Sequence, residues 1–390
     1  LKFLLDLGKQ PPANDFLENL SSYIEYPLGV NYCENCFHVQ LSFAVNPELL
    51  FRNYVYVSGT TKTLDDYFTD FVRKCEELNL DTQKVLEIAS NDGSLLTKFN
   101  SAGWNSIGVD PAINLIEKST ANGVTTIPEF FDVNLSKKLA KDFSLIIAMN
   151  VFAHTSNPLG ILLAAKEVLD DNGVILIQTS QADMMLKNQI DTIYHEHISF
   201  FNTKSMEKIV KRSGMYLSGL EMVPIHGNSY LWYITKKPRI FNQSNELMKR
   251  VKIEEEGGLY EVSNYSFFSD KANNLREIVK KHVQDYKTDD FKIAVYGAAA
   301  KGNTFVNFCG IAVDEVYDDN DLKIGKFSPI GNRLVEHPRN LAKAADKYLF
   351  IITAWNFADE IIGKIKKLRP ENNDWYLVYY PEVKVEKIND

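Results

Sequence analysis

Between Lys84 and Thr179 the chain carries short aliphatic runs, KVLEI, SIGVD, SLIIAMN and GVILIQT, separated by segments with helical spacing such as NPLGILLAAKEVL. Runs this apolar belong to strands buried on both faces, and their alternation with helices predicts a mostly parallel sheet covered by helices. The chain is therefore expected to be α/β. The pattern returns near the end, where FKIAVYG, a Gly- and Ala-rich turn, the helix-like NTFVNFCG and the strands DEVYDD, KYLFIIT and WYLVYY repeat the doubly wound logic. Between the two patterns, NELMKRVKIEEE and NNLREIVKKHVQDYK predict helices. Residues 1 to about 65 contain Pro11, Pro12, Pro27 and Pro47 and hold no sustained period, which predicts a small irregular domain. A chain of 390 residues is long enough for two or three domains, and the expected boundaries are 1–68, 69–238 and 239–390.

The 43 basic and 51 acidic residues give a net charge of −8 without a basic stripe, so nucleic acid is a poor expectation. No run approaches the apolar length of a membrane span, and LKFLLDL is too short for a secretory leader. The four cysteines Cys33, Cys36, Cys75 and Cys309 are too few for a disulfide framework, so a cytoplasmic protein is expected.

The segment from Lys84 to Leu95 reads as strand, tight turn and helix, with Glu87 near the strand end and Gly93 in the turn. Ala89 and Asn91 stand where a dinucleotide binder carries glycines, so a pyrophosphate would approach this backbone less easily. A ligand without phosphates fits better, and S-adenosylmethionine is one: its amino-acid tail can lie on the turn while its ribose seeks an acceptor. Asp110, which ends the next strand, is at about the spacing expected for that acceptor. Phe130 and Phe131 are candidates to flank adenine, and Asn150 ends the strand SLIIAMN over the same crevice. A Rossmann-like fold with another ligand, or none, is the alternative.

VLEIASNDGSLL, GVDPA, NVFAHTSNP and YHEHISFF together resemble the sugar C-methyltransferases of deoxysugar biosynthesis. The resemblance runs through LDLGKQPPANDF, YCENCFHVQL and YVYVSGTT to YGAAAKGNTFVNFCGI, essentially the whole chain. It implies a Rossmann-like methyltransferase domain between a small N-terminal zinc-binding-type domain and a C-terminal Rossmann-like domain. The implied activity is methylation of carbon beside the ketone of a nucleotide-linked 4-keto-deoxysugar. The family's first domain usually holds zinc with two Cys-x-x-Cys pairs, whereas only Cys33-x-x-Cys36 is present here. One pair cannot supply four ligands, and since the sequence begins with Leu the other pair is expected upstream; two free core thiols are the alternative.

A C–H beside a ketone becomes a nucleophile only when its proton leaves, so a base is required. The resemblance implies His197 as that base, with Glu196 and Tyr194 beside it and His195 as a second candidate. Glu196 is suited to orient a histidine, and Tyr194 to donate to the developing enolate oxygen. The two histidines would diverge by roughly 200° on a helix and share a face only on a strand, so a metal site or a structural pair are alternatives. Alternation in RNYVYVSGTT makes Tyr54 and Tyr56 ordinary strand residues, but the resemblance implies a substrate-binding role for Tyr56. In GAAAKGNT, Gly297, Lys301 and Gly302 open a helix as a phosphate site does, or serve a close crossover that needs small residues. Two rival functions remain at this level: O- or N-methylation of another small acceptor, and a dinucleotide-binding module in which Asp318 or Asp319 reads a ribose.

Overall fold

A computed structural model describes residues 1–54, 57–60, 62–225 and 228–389, so Tyr56 lies outside the described residues. The first sheet is antiparallel, in the order Lys2–Gln10, Tyr26–Tyr32, Val39–Leu41 and Ser199–Phe200. The opening segment is thus an ordered strand rather than irregular chain. Its alternation is hidden because the pairing slips between Phe3 and Leu5 and again between Asp6 and Lys9, where Gly8 has φ 81°. Each slip turns the next side chain to the other face. The last strand of this sheet, Ser199–Phe200, comes from just beyond the YHEH segment, so first and middle domains share a sheet.

The middle sheet has seven strands in the order Tyr216–Val223, Ser229–Thr235, Leu169–Thr179, Phe143–Met149, Lys84–Ile88, Asn105–Val109 and Thr126–Ile127. Its last five members are parallel, and the Ser229–Thr235 strand enters antiparallel beside them. The chain reverses its direction of winding at Lys84–Ile88, which pairs with Asn105–Val109 on one side and with the later strand Phe143–Met149 on the other. Ligands of open α/β sheets bind at the carboxyl ends of the strands beside such a switch point. Leu86, Phe143, Ile146, Ile175 and Trp232 are fully buried on one face of this sheet, and Val85, Leu145, Ile147, Leu176 and Tyr233 on the other.

The helix Val262–Thr288 follows the helix Asn242–Glu256 and buries Tyr265, Phe268, Ala272, Val279 and Val283 along one stripe. It leads into a second seven-stranded sheet, ordered Phe327–Ser328, Arg333–Glu336, Glu315–Tyr317, Lys292–Tyr296, Tyr348–Ile352, Trp375–Val378 and Lys384–Lys387. Its core strands are parallel and its edges antiparallel. This domain folds back on the first: Leu17 bridges Phe327, and the Tyr23 hydroxyl donates to the Phe327 carbonyl at 2.7 Å. Among the described residues, no helix is long and apolar enough to cross a membrane.

Candidate active site at the junction of three domains

The turn after Lys84–Ile88 winds through left-handed backbone at Ala89 (φ 59°), Asn91 (φ 51°) and Gly93 (φ 75°). A non-glycine residue there is strained unless its surroundings hold it. Asp110 supplies the hold, because Oδ2 accepts from the Asn91 amide and Oδ1 from the Ala112 amide, each at 2.7 Å. Burial pushes the Asp110 carboxyl up and these two amides pull it back. Asn150 is left-handed as well, at φ 56°, and ends its strand with its amide on the Gln178 carbonyl.

Glu87 is buried beneath this turn with Oε2 lacking a hydrogen-bond partner among the described residues. Burial, and then the charges of Asp110 and Asp92, push its carboxyl well above the usual range. Asp92 itself faces the Lys118 ammonium at 3.0 Å. A crevice with a buried carboxyl oxygen left unmet and further acids around it is suited to a cationic ligand, because the carboxyl can carry its charge there only when a positive group pairs with it. S-adenosylmethionine, with an ammonium and a sulfonium, meets that description. The two candidate adenine rings part company. Phe131 lies in the core with Leu135 and Phe143, while Phe130 stays half-buried with the Arg52 guanidinium 5.0 Å from its ring centroid.

Residues 52–54 and 57–59 lie beside the carboxyl ends of these strands. The Tyr54 amide donates to Asn114 Oδ1 and the Asn114 amide group donates back to the Tyr54 carbonyl, both at 3.0 Å. The Ser58 amide reaches Asn91 Oδ1 at 3.0 Å and the Gly59 amide reaches Asp92 Oδ2 at 3.3 Å.

The YHEH segment is neither helix nor strand but a turn, closed by the His197 amide on the Tyr194 carbonyl at 2.9 Å. His197 Nδ1 lies 2.9 Å from the Thr192 carbonyl, which only accepts, so Nδ1 carries a proton. Nε2 of the neutral ring is then an acceptor, and the Tyr194 hydroxyl donates to it at 2.7 Å. His154 stacks on His197 with centroids 5.3 Å apart and on Phe51 with centroids 5.8 Å apart.

His195 faces the other way. It is buried against the second strand with Nε2 3.4 Å from the Tyr26 carbonyl, and burial depresses its pKa. The structure does not bring it to the His197 and Tyr194 pair. Glu196 does not orient a histidine, as its type and position suggested. Its Oε1 accepts from Asn14 Nδ2 at 2.7 Å and Oε2 from the Tyr54 hydroxyl at 3.0 Å, while burial raises its pKa. The turn points alternate residues in different directions, which separates Glu196 from His197.

Asn303 Nδ2 of the last domain donates to the Ala13 carbonyl at 2.6 Å, next to Asn14, so three domains meet around Glu196. Helix Ala300–Cys309 begins here, but its glycines serve the crossover. A Cβ on Gly302 would stand 2.4 Å from Thr353 Cβ, and Gly297 has φ +100° with Ala354 close above it. Lys301 extends over the Trp355 ring at 5.2 Å from the centroid. The acids offered for a dinucleotide ribose are already paired: Asp318 with Lys323 at 3.1 Å, and Asp319 with Lys364 at 3.1 Å.

Cys33 and Cys36 are free thiols on a tight turn, and among the described residues no group of three or more His, Cys, Asp or Glu side chains is placed to hold a metal ion. Two thiols alone do not fit a tetrahedral zinc site. Asn14, Tyr54, Asn114 and His154 join the site only through the fold. Asn14, Tyr54 and His154 stand in the motifs LDLGKQPPANDF, YVYVSGTT and NVFAHTSNP, but only the fold brings them to YHEH.

Family models match in three consecutive stretches: a putative zinc binding domain over residues 1–51, a methyltransferase domain over 61–218 and a C-methyltransferase C-terminal domain over 224–380. The C-methyltransferase NovU of Streptomyces niveus is 28% identical, across 98% of this chain and 93% of its own. Similar solved structures include the magnesium protoporphyrin IX methyltransferase of Synechocystis with bound SAH, at 12% identity over 47% of this chain and 91% of that one, TM-score 0.38. An S-adenosylmethionine-dependent methyltransferase of Clostridium acetobutylicum is 15% identical over 44% of this chain and 91% of that one, TM-score 0.36. With family models for first, middle and last parts in order and a C-methyltransferase similar nearly end to end, this chain is an S-adenosylmethionine-dependent methyltransferase whose last part matches a C-methyltransferase C-terminal domain.

Proposed function

We propose that the enzyme methylates the carbon beside the ketone of a nucleotide-linked 4-keto-deoxysugar, giving a branched-chain sugar nucleotide, with His197 as the general base. The observation that carries this reading is the Thr192, His197 and Tyr194 arrangement, which fixes one neutral tautomer and aims its basic Nε2 at a hydroxyl. Transfer to oxygen or nitrogen has less need of such a group. NovU, a C-methyltransferase by name, supports carbon as the acceptor.

S-adenosylmethionine supplies the electrophilic methyl group when bound. Glu87, Asp110 and the turn at Ala89, Asn91 and Gly93 are the residues to hold it, with Asn150 and Phe130 alongside. Before reaction His197 Nε2 accepts from Tyr194. Once Nε2 takes the carbon's proton it can no longer accept, so the Tyr194 hydroxyl is released to donate to the enolate oxygen forming on the sugar. One proton transfer thus switches both hydrogen bonds in the direction that stabilises the enolate. Glu196, through Asn14 and Tyr54, ties the first domain over the site and excludes water; Tyr56 is assigned to the acceptor sugar. Lys301 is assigned to the acceptor's diphosphate, with Gly297 and Gly302 permitting the close crossover that positions it.

In this reading residues 1–68 cover the acceptor, 69–238 hold the cofactor and 239–390 hold the nucleotide. A structural zinc on Cys33 and Cys36 requires two further ligands, and elemental analysis of the purified protein decides whether a metal is held. Four free thiols agree with a cytoplasmic location. The deciding experiment is mass spectrometry of nucleotide-linked ketosugars incubated with enzyme and S-adenosylmethionine. A gain of one methyl on the sugar is expected; methyl gain only on oxygen or nitrogen acceptors overturns the reading.

A further inference from the structure

Asp191 is a carboxylate that the methyl-transfer scheme does not use, yet it is 1% exposed and sits one residue before the carbonyl that fixes His197. It lies in the short turn Ile190–Thr192, between the middle sheet and the YHEH segment. Its Oδ2 accepts from Trp355 Nε1 at 2.7 Å and from the Tyr379 hydroxyl at 2.9 Å, both on the last domain. Oδ1 is buried with no hydrogen-bond partner, and no ion pair of Asp191 occurs among the described residues. The donors are themselves fixed. Tyr379 stacks on Phe305 of the helix Ala300–Cys309, with centroids 3.6 Å apart, and Trp355 lies under Lys301. Close by, Gln189 Nε2 donates to the Tyr380 hydroxyl at 3.1 Å, and the Thr192 hydroxyl donates to the Gln189 carbonyl at 2.8 Å.

The segment from Gln189 to Ile198 contains no long helix or strand of its own, so tertiary contacts must set where the Thr192 carbonyl points. A base works only when held within a fraction of an ångström of its productive geometry. A buried carboxylate is an expensive way to join two domains, since an apolar contact would serve docking as well. What the charge adds is direction, because two charge-assisted hydrogen bonds lock the turn in one orientation. We propose that Asp191 is a positioning residue that couples the last domain to His197: by anchoring the Ile190–Thr192 turn to Trp355 and Tyr379, it holds the Thr192 carbonyl on Nδ1 and keeps Nε2 free of a proton. Its consequence for catalysis rests on His197 being the base; the tautomer it imposes does not.

The test is direct observation of the His197 ring by two-bond proton–nitrogen correlation spectra of the whole chain labelled with nitrogen-15 in histidine. With seven histidines, subtraction of a His197→Gln spectrum identifies the signal. The wild type is expected to show the Nδ1-protonated tautomer alone. Asp191→Asn, which keeps the side-chain volume and one oxygen, is expected to give a mixture of tautomers and a 10-fold to 100-fold lower kcat, with the KM for S-adenosylmethionine unchanged. Trp355→Phe and Tyr379→Phe each remove one donor while leaving a ring, and are expected to give smaller effects that do not add to those of Asp191→Asn. These milder variants keep the test readable if Asp191→Asn folds poorly. An unaltered tautomer in Asp191→Asn, or in both donor variants should it not fold, overturns the proposal. If His197→Ala retains methyl transfer, the base assignment fails instead, and the tautomer result for Asp191 still stands or falls separately.

Discussion

The chain contains two strand–turn–helix crevices with the same latch and different contents. In the middle domain Asp110 accepts from the Asn91 amide at 2.7 Å, and in the last domain Asp318 accepts from the Ala298 amide at 2.8 Å. Each aspartate ends the second strand of its unit, and each first strand hands its turn amide to that strand: Ala89 to Val109 and Gly297 to Tyr317. Above the latch they diverge. The middle turn passes through left-handed Ala89 and Asn91 and leaves Glu87 with an unmet oxygen, whereas the last turn is packed against Thr353 and its aspartate faces Lys323. A doubly wound scaffold therefore does not by itself confer a cofactor site. What matters is whether charge and space directly on the turn are left for the cofactor.

The largest effect expected is at the chemistry the middle crevice serves. His197→Ala should bind cofactor and acceptor normally yet lose methyl transfer by about 100-fold or more, the usual contribution of a general base. Solvent deuterium entering the sugar carbon in the presence of the demethylated cofactor separates proton removal from transfer. Exchange that persists in the variant would assign the base to another residue.

The two latch aspartates sharpen the comparison directly. Asp110→Ala should weaken S-adenosylmethionine binding by about 1.5–3 kcal/mol, the worth of hydrogen bonds to a charged group, roughly 10-fold to 100-fold in affinity by calorimetry. Asp318→Ala should leave that affinity unchanged. Equal losses from both would break the distinction between the crevices.

A smaller effect is expected at the last crevice, where Lys301→Ala should raise the acceptor's KM by about 10-fold with kcat nearly unchanged, the signature of uniform binding. A loss confined to kcat would move Lys301 from binding to chemistry.

The smallest is a pH effect on the cofactor-free protein. Because burial raises the Glu87 carboxyl in the folded state, the folded chain holds a proton that the unfolded chain has released. The stability linked to this group is therefore complete below the usual carboxylate range and lost as pH rises through the raised value. Glu87→Gln should flatten that decline in a series of melting temperatures, by a few degrees at most, and saturating S-adenosylmethionine should flatten it in the wild type. Parallel curves for variant and wild type would show that Glu87 is not strained by its charge.

The sequence by itself determined both α/β units and the strand, turn and helix from Lys84 to Leu95, because these are local: aliphatic runs and turn residues are complete within short stretches, whereas YHEH was singled out through a resemblance. Even the departure from glycine at Ala89 and Asn91 was legible, since it marked the turn as one poorly shaped for pyrophosphate. The strand Lys2–Gln10 escaped because its bulges break the period on which a strand is recognised. Tertiary structure alone decided how the YHEH segment is arranged. Three neighbouring residues of one turn go to three places: His195 to the Tyr26 carbonyl, Glu196 to Asn14 and Tyr54, and His197 to Thr192 and Tyr194. No spacing rule predicts that division, because an irregular segment takes its shape from what packs against it. Here the packing comes from a strap more than a hundred residues earlier and a last domain more than a hundred residues later, joined through Asn14, Tyr54, Trp355 and Tyr379.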